Sequence, residues 1–210
     1  MAFAAPCDPA YPNNNFCLIG AGNNIVLDGV YISPYTAIIN GVTTSVICDD
    51  FSDEVMVPES WTTTSGIGGS TTQGLFGQEN SAGYAKVAWL SQQLFTQPLS
   101  NSGAISYAIW AVFDQVNVQN WLNAYNDTAT YNAVFSSGGL LDQAASHTQD
   151  DFSYATFYTP VSGTQSCCGR PQEFVVVHTP EASAASVLTV DLLGFGALAF
   201  LFRRRLLEGR

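Results

Sequence analysis

The sequence predicts an α+β fold: a β-rich globular domain with a helical middle segment, followed by one C-terminal transmembrane helix. Three observations predict this. Alternating β-branched and aromatic residues flank a strong turn near residue 40, apolar residues recur at helical spacing between residues 81 and 115, and an apolar run precedes three arginines near the C-terminus. With 210 residues, 47% of them hydrophobic, the chain is long enough to bury a core.

The β structure begins before the turn. Asn40-Gly41 is a strong two-residue hairpin signal, so we expect strands at 30–39 and 42–51. The segment "ESWTTTSGI" predicts a third strand, and a glycine-rich loop follows it at 68–81. The sequence therefore predicts an antiparallel hairpin with at least one further strand.

The period then changes to that of a helix. Residues Tyr84, Val87, Ala88, Leu94 and Phe95 fall at helical spacing within 81–95. In "SGAISYAIWAVFDQ", which covers 102–115, nearly every position is apolar, as in a buried central helix. Shorter helices and two late strands complete the domain; the expected helices cover 120–125 and 139–147, and the strands cover 152–160 and 172–179.

Charge excludes one class of partner. Fourteen acidic and only two basic residues precede residue 181, and the whole chain has a net charge of −11. Since such a chain has no positive field to neutralise phosphates, we expect no binding to nucleic acid. Few lysines and many Thr, Ser, Asn, Gly and Tyr residues are typical of exported proteins.

The five cysteines do not have zinc-site spacing, because no CxxC pair occurs. In an oxidising compartment Cys7 and Cys17 could close a short loop, and Cys167 or Cys168 could pair elsewhere. Cys48 lies in an apolar strand, where a buried and unreactive thiol is the simpler interpretation.

The C-terminal tail contains an apolar run at 182–202 whose only charge is Asp191, followed directly by Arg203, Arg204 and Arg205. As a helix this run would be about 31 Å long, close to the hydrocarbon thickness of a bilayer. Asp191 costs about 2.5–3.5 kcal/mol on an insertion scale, so the predicted span is weak. The arginines would keep the C-terminus in the cytoplasm and place the domain outside.

A short motif stands just before this run: "TPEA", formed by Thr179, Pro180, Glu181 and Ala182. The motif, the hydrophobic run and the arginine cluster together resemble the PEP-CTERM sorting signal of Gram-negative bacteria. The resemblance implies export, transient anchoring in the cytoplasmic membrane, and processing by an exosortase near Pro180 and Glu181. The family has proline where this chain has Ala182, which puts the efficiency of cleavage in question.

The N-terminus, "MAFAAPC", resembles the last part of a signal peptide, with small residues flanking Phe3. We expect Met1 to lie inside a longer signal peptide. The expected organisation is a signal-peptide remnant at 1–5, an exported globular domain at 6–178, and a sorting signal at 179–210.

A second resemblance concerns the segments "VICDDF" and "AISYAIWAVFD". They are similar to bacterial surface domains in which a strand cysteine forms a thioester with a glutamine four residues before a tryptophan. Cys48 stands at the cysteine position, and Ser106 stands where the glutamine would be, before Trp110. Because serine has no side-chain acyl group, this chain cannot form that thioester.

Other site chemistry is sparse. The acidic residues Asp49, Asp50, Asp53 and Glu54 could bind a calcium ion, although their spacing does not match an EF-hand, and a solvated turn would explain them equally well. No GxSxG, HExxH or phosphate-binding glycine loop occurs. We therefore predict no catalytic residues, no metal and no cofactor.

The expected function is that of an exported, non-enzymatic cell-surface or extracellular-matrix protein. Its expected partners are an exosortase, the cytoplasmic membrane and extracellular polysaccharide. The alternative is an adhesion-type binding domain related to thioester domains but without their glutamine. A hydrolase acting on extracellular polymer is a third, weaker interpretation.

Overall fold

The computed structural model describes residues 14–22, 24–67, 74–164 and 168–178. The chain divides into two units, Met1–His178 and Thr179–Arg210, and the second unit lies outside the described residues. The predicted remnant at 1–5 also lies outside them. The fold described below is that of the first unit.

The described residues form nine strands and four α-helices. The strands are β1 (Phe16–Gly20), β2 (Val26–Leu27), β3 (Val30–Tyr31), β4 (Tyr35–Ile39), β5 (Val42–Cys48), β6 (Glu59–Trp61), β7 (Thr63–Ile67), β8 (Ala155–Pro160) and β9 (Phe174–Val177). The helices are α1 (Ser81–Thr96), α2 (Ser102–Tyr125), α3 (Thr128–Phe135) and α4 (Leu140–Ala144). Short 3₁₀ turns cover Gln78–Asn80, Leu99–Asn101 and Ala145–His147.

Seven strands form one antiparallel sheet in the order β6-β1-β4-β5-β9-β8-β7, while β2 and β3 form a separate hairpin. The edge strands β6 and β7 are separated in the chain by Thr62 alone, so the sheet curls until its two edges adjoin. Asn15 fastens this corner, because its side chain accepts from the Thr63 N–H at 2.7 Å and donates to the Thr63 carbonyl at 3.0 Å.

The helices α1 and α2 cover the sheet, α1 contacting β9 and α2 contacting β5. Large side chains from both layers are fully buried between them, including Phe16, Ile47, Tyr84, Ile105 and Phe157. The first half of α2 is almost entirely buried, whereas its second half buries Val118 and Leu122. Because α2 is held on several sides, its position relative to the end of β5 is fixed.

The helix α2 contains a break at Asp114, whose φ of −135° and ψ of 55° are not helical. Beyond the break the sequence is rich in Asn and Gln, and side chains there are mostly exposed. The predicted helix at 120–125 is thus the end of α2 rather than a separate element.

The predicted fold class needs correction where it included a transmembrane helix. Within residues 14–22, 24–67, 74–164 and 168–178, no helix is long and apolar enough to cross a membrane. The longest of them, α2, has enough residues, but its second half is too polar. The segment predicted to span, 182–202, lies outside the described residues.

The hairpin prediction is confirmed. Ile39 pairs with Val42 across the turn, and Asn40 and Gly41 have φ values of 49° and 83°, which Asn and Gly tolerate best. The strand predicted at 30–39 is divided into β3 and β4, of which β4 forms the hairpin, and the strand predicted at 42–51 ends at Cys48. The sequence-based prediction missed β1 and also α3, which is capped by Asp127 accepting from the Thr130 N–H at 3.0 Å.

Candidate functional site

The two positions that resemble a thioester pair meet at Ser33. Cys48 ends β5 and Ser106 lies in the first half of α2, and both are completely buried. The Ser33 N–H donates to Ser106 Oγ at 3.0 Å, and Ser33 Oγ accepts from the Cys48 N–H at 3.3 Å. The structure therefore brings both residues to one serine and uses the Ser106 hydroxyl as an acceptor for a buried backbone N–H.

The Cys48 thiol is not prepared for nucleophilic chemistry. Its S–H donates to the Asp50 carbonyl at 3.1 Å. Burial, and then the carboxyl groups of Asp50 and Asp49, raise the pKa of the thiol well above its ordinary value, although the Asp50 backbone and, to a smaller extent, Trp110 partly offset this increase. A buried neutral thiol next to Ser106, which has no acyl group, leaves no reactive bond at this position.

Of the other cysteines, Cys17 in β1 is disulfide-bonded. The partner considered from the sequence, Cys7, lies outside the described residues, and so does Cys167.

Asp49 points into a fully buried polar network built around Glu173, just before β9. Glu173 Oε1 accepts from the Tyr84 hydroxyl at 2.9 Å, and Oε2 accepts from the Leu75 N–H at 2.8 Å and from the Thr159 hydroxyl. Burial first, and then the charges of Glu173 and Asp50, raise the pKa of the Asp49 carboxyl well above its ordinary value. Neither Asp49 oxygen has an N–H or hydroxyl donor among the described residues, so its environment favours the protonated carboxyl.

Asp50, the next residue, is placed differently. It is only 1% exposed, and its Oδ1 accepts from the N–H groups of Ser52 and Asp53 at 3.0 and 3.3 Å. Its Oδ2 has no donor among the described residues. Burial, and then the neighbouring Asp53 carboxyl, raise the pKa of Asp50 to about 7.

Asp50 lines a cleft of about 340 Å³ between the end of β5 and α2. Three acidic residues contribute to its lining, namely Asp50, Asp53 and Glu54. Its aromatic lining consists of Tyr31, Tyr35, Phe51, Trp110 and Trp121. A cleft of this size, with aromatic walls and a few convergent polar groups, has the general form of a small-ligand site.

The segment before β9 binds the loop that forms the acidic side of the cleft. Gln172 donates from Nε2 to the carbonyls of Asp50 and Asp53, at 2.9 and 2.6 Å, and Arg170 pairs with the Asp53 carboxylate at 2.6 Å. These bonds fix the loop that follows β5, so the acidic side of the cleft is preorganised.

A second hollow of about 400 Å³ adjoins the cleft and shares Phe51 and Trp121 with it. Its polar lining consists of Ser52, Asn117, Asn120 and Asp114, and of these four side chains Asp114 alone is acidic. Asp114 accepts from Asn117 Nδ2 at 2.9 Å and from the Ser52 hydroxyl. We call the cleft and this second hollow together the aromatic groove.

The sequence-based prediction missed the aromatic groove, but a signal for it exists. Trp110, Asp114, Asn117 and Trp121 are spaced by four, three and four residues, which places them on one face of a helix. Phe51, in the loop after β5, packs against both tryptophans, with its ring centroid 5.4 Å from that of Trp110 and 5.8 Å from that of Trp121. Two tryptophans with two polar residues between them on one helix face thus indicated a surface with a role beyond core packing.

The calcium interpretation of the acidic residues has no support in the part of the chain that the structure describes, where no three His, Cys, Asp or Glu side chains are arranged to hold a metal ion. The solvated-turn interpretation is wrong for Asp49 and Asp50, because both are buried.

His147 stacks on Trp89 and pairs with Asp150.

The predicted sorting residues Thr179, Pro180, Glu181 and Ala182 lie outside the described residues. The arginines Arg203, Arg204 and Arg205 do as well.

No protein-family model matches the chain, and no curated protein or solved structure shows significant similarity to it. Neither the PEP-CTERM resemblance nor the thioester-domain resemblance is therefore tested by comparison, and both stay predictions. The functional argument depends on the aromatic groove itself.

Proposed function

We propose that this chain is an exported, non-enzymatic cell-surface or extracellular-matrix protein whose folded unit is a non-covalent binding domain. The observation that carries the proposal is the acidic and aromatic cleft, next to which the Cys48 thiol is buried and unreactive. Asp50 presents an oxygen without an N–H or hydroxyl donor there, while Cys48 and Ser106 are buried and hydrogen-bonded. A ligand would be held by contacts rather than by a covalent bond.

The same proposal includes sorting through the C-terminal segment. The motif of Thr179, Pro180, Glu181 and Ala182 and the following arginine cluster support processing by an exosortase. The strongly acidic, lysine-poor composition upstream supports export, and it disfavours nucleic acid as a partner.

Retention on extracellular polysaccharide tests the binding function. Fluorescently labelled protein is incubated with exopolysaccharide isolated from the source organism, and the bound fraction is measured by co-sedimentation. Tyr31, 47% exposed in the cleft, is replaced in Tyr31→Ala, and the matched control is Phe95→Ala on α1, where Phe95 is 44% exposed. We expect the control to bind like the wild type and Tyr31→Ala to bind at least about fivefold less. Wild-type protein that stays in the supernatant would overturn the proposal.

Mass spectrometry of the native secreted protein tests the sorting part. We expect a form that ends near Thr179 or Pro180, and a larger processed fraction for Ala182→Pro, which restores the Pro-Glu-Pro motif of the family. An intact C-terminus in both proteins would contradict processing.

A further inference from the structure

We propose that the aromatic groove binds a glycan that carries free amino groups, a de-N-acetylated hexosamine oligomer. The ammonium group pairs with Asp50, and the sugar rings stack on the aromatic walls. This inference rests on the proposed binding function and names the class of ligand.

The unpartnered Asp50 oxygen is the first support. Buried carboxylate oxygens are normally hydrogen-bonded, and an unmatched one calls for a partner. Asp50 Oδ1 already accepts two backbone N–H groups, whereas Oδ2 has no N–H or hydroxyl donor among the described residues although the side chain lines the cleft, and its side-chain neighbour there is the acidic Asp53 carboxyl. An ammonium group of a ligand supplies a donor and a compensating charge together.

The charge of the cleft is the second support. Asp50 and Asp53 contribute adjacent carboxyl groups to its lining, and Arg170 pairs with Asp53. The Asp50 carboxyl is left without a cationic partner among the described residues. A glycan with carboxylate or sulfate groups would be repelled, and one with ammonium groups would be attracted.

The aromatic walls are the third support. Tyr31 is half exposed, and Trp121 is held in place because its indole N–H donates to the Asp28 carbonyl at 3.0 Å. Aromatic faces bind the apolar faces of flat rings and also attract cations that lie over them. An amino sugar offers both kinds of surface to the same wall.

The second hollow favours a glycan over a lysine side chain of a protein. Ser52, Asn117 and Asn120 line it with hydroxyl and carboxamide groups, which match sugar hydroxyls as donors and acceptors. A single lysine would occupy the cleft alone and leave this hollow empty. An oligosaccharide of two or more rings uses the cleft and the hollow at once.

The test is a calorimetric titration of the full chain with the glucosamine tetramer, the N-acetylglucosamine tetramer and a lysine tetrapeptide. We expect the glucosamine tetramer to bind at least about tenfold more tightly than the other two. Equal affinity for the acetylated tetramer would overturn the role of the amine, and equal affinity for the peptide would overturn the role of the glycan. No binding of the glucosamine tetramer would overturn the inference entirely.

Two matched variants locate the effect. Asp50→Asn retains an amide oxygen for the Ser52 and Asp53 N–H groups but removes the charge, and we expect at least a tenfold loss of affinity. Asp151→Asn is the control, because exposed Asp151 accepts in the same way from the Ser153 N–H at 2.9 Å but does not line the groove. Unchanged affinity in Asp50→Asn, with a melting temperature like that of the wild type, would overturn the assignment.

This experiment and the polysaccharide assay fail in different ways. Tyr31-dependent binding to exopolysaccharide without preference for the glucosamine tetramer leaves the proposed function intact and overturns the inference. Absence of binding to exopolysaccharide removes the proposed function first.

Discussion

Asp49 and Asp50 are neighbours in the chain, yet their carboxyl groups enter two different environments. Asp49 faces the interior, where Glu173 is surrounded by donors from Tyr84, Thr159 and Leu75. Asp50 lines the cleft and has one oxygen without an N–H or hydroxyl donor in the described chain; both oxygens of Asp49 also lack one, so the two residues differ in their access to the cleft. The buried network stabilises the fold, whereas the cleft is available to a ligand.

The largest expected effect on stability comes from a change in the buried network around Glu173. Glu173→Gln places an amide NH₂ group against donors that now point at a carboxylate, and we expect a loss of about 3–5 kcal/mol in the free energy of unfolding. Urea denaturation measures it. Glu79→Gln, on an exposed 3₁₀ turn, is the matched control and should change stability by less than about 0.5 kcal/mol. A loss below about 1 kcal/mol for Glu173→Gln would mean that the network is not structural.

The second prediction concerns pH. The pKa of Asp49 is raised well above its ordinary value and that of Asp50 is raised to about 7, so between about pH 4 and 7 the folded state binds protons that the unfolded state has released. Stability must then fall as pH rises, by up to about 1.4 kcal/mol per pH unit for each proton retained. We expect the free energy of unfolding to decrease from pH 5 to pH 8.

Asp49→Asn sharpens this prediction. Asparagine mimics the protonated carboxyl and can still donate to Glu173, so the variant should show a shallower decrease with pH. Urea denaturation at several pH values gives both slopes. Stability that rises from pH 5 to pH 8 in the wild type would contradict the assigned protonation.

The third prediction concerns the contact between β5 and α2. Ser106→Ala removes the acceptor of the buried Ser33 N–H, and we expect a loss of about 1–3 kcal/mol in the free energy of unfolding. Ser91→Ala is the control, because Ser91 is equally buried on α1 and its hydroxyl has no partner among the described residues. Thermal or urea denaturation compares the two variants. Equal losses would show that the Ser33 bond contributes nothing.

The smallest expected stability effect belongs to the cleft. Asp50→Asn keeps the oxygen that accepts the two backbone N–H groups, and at pH 6 asparagine resembles the protonated side chain, so we expect a change below about 1 kcal/mol. Urea denaturation at pH 6 measures it. A loss as large as that of Glu173→Gln would place Asp50 in the structural network instead.

Much of the fold was accessible from the sequence. Asn40-Gly41 specifies its turn through the backbone conformations that these residues favour, and the period of α1 follows from apolar residues that cover the sheet. The strand β1 was missed because its partners, β4 and β6, are distant in sequence and its five residues carry no period of their own. The end of α2 was predicted as a separate helix at 120–125. The Asn- and Gln-rich segment instead continues α2, whose second half is held by the burial of Val118 and Leu122.

The site was harder to predict, because acidic residue types favour an exposed position and Asp49 and Asp50 are buried. Acidic residues are rarely fully buried, so Asp49 and Asp50 indicated a solvated turn. Their burial depends on Glu173 and Gln172, more than 120 residues later in the chain, and on α2. The meeting of Cys48 and Ser106 at Ser33 is likewise a product of the fold, although a resemblance in sequence had named both residues.

The most direct test of the central claim is the pKa of the Asp50 carboxyl, measured by carbon-13 NMR titration with and without the glucosamine tetramer. The account predicts a pKa near 7 in the free protein and a clear decrease when the ligand is bound, because a paired ammonium group favours the carboxylate. An unchanged pKa at saturating ligand would contradict it and show that Asp50 is not the partner of the amine.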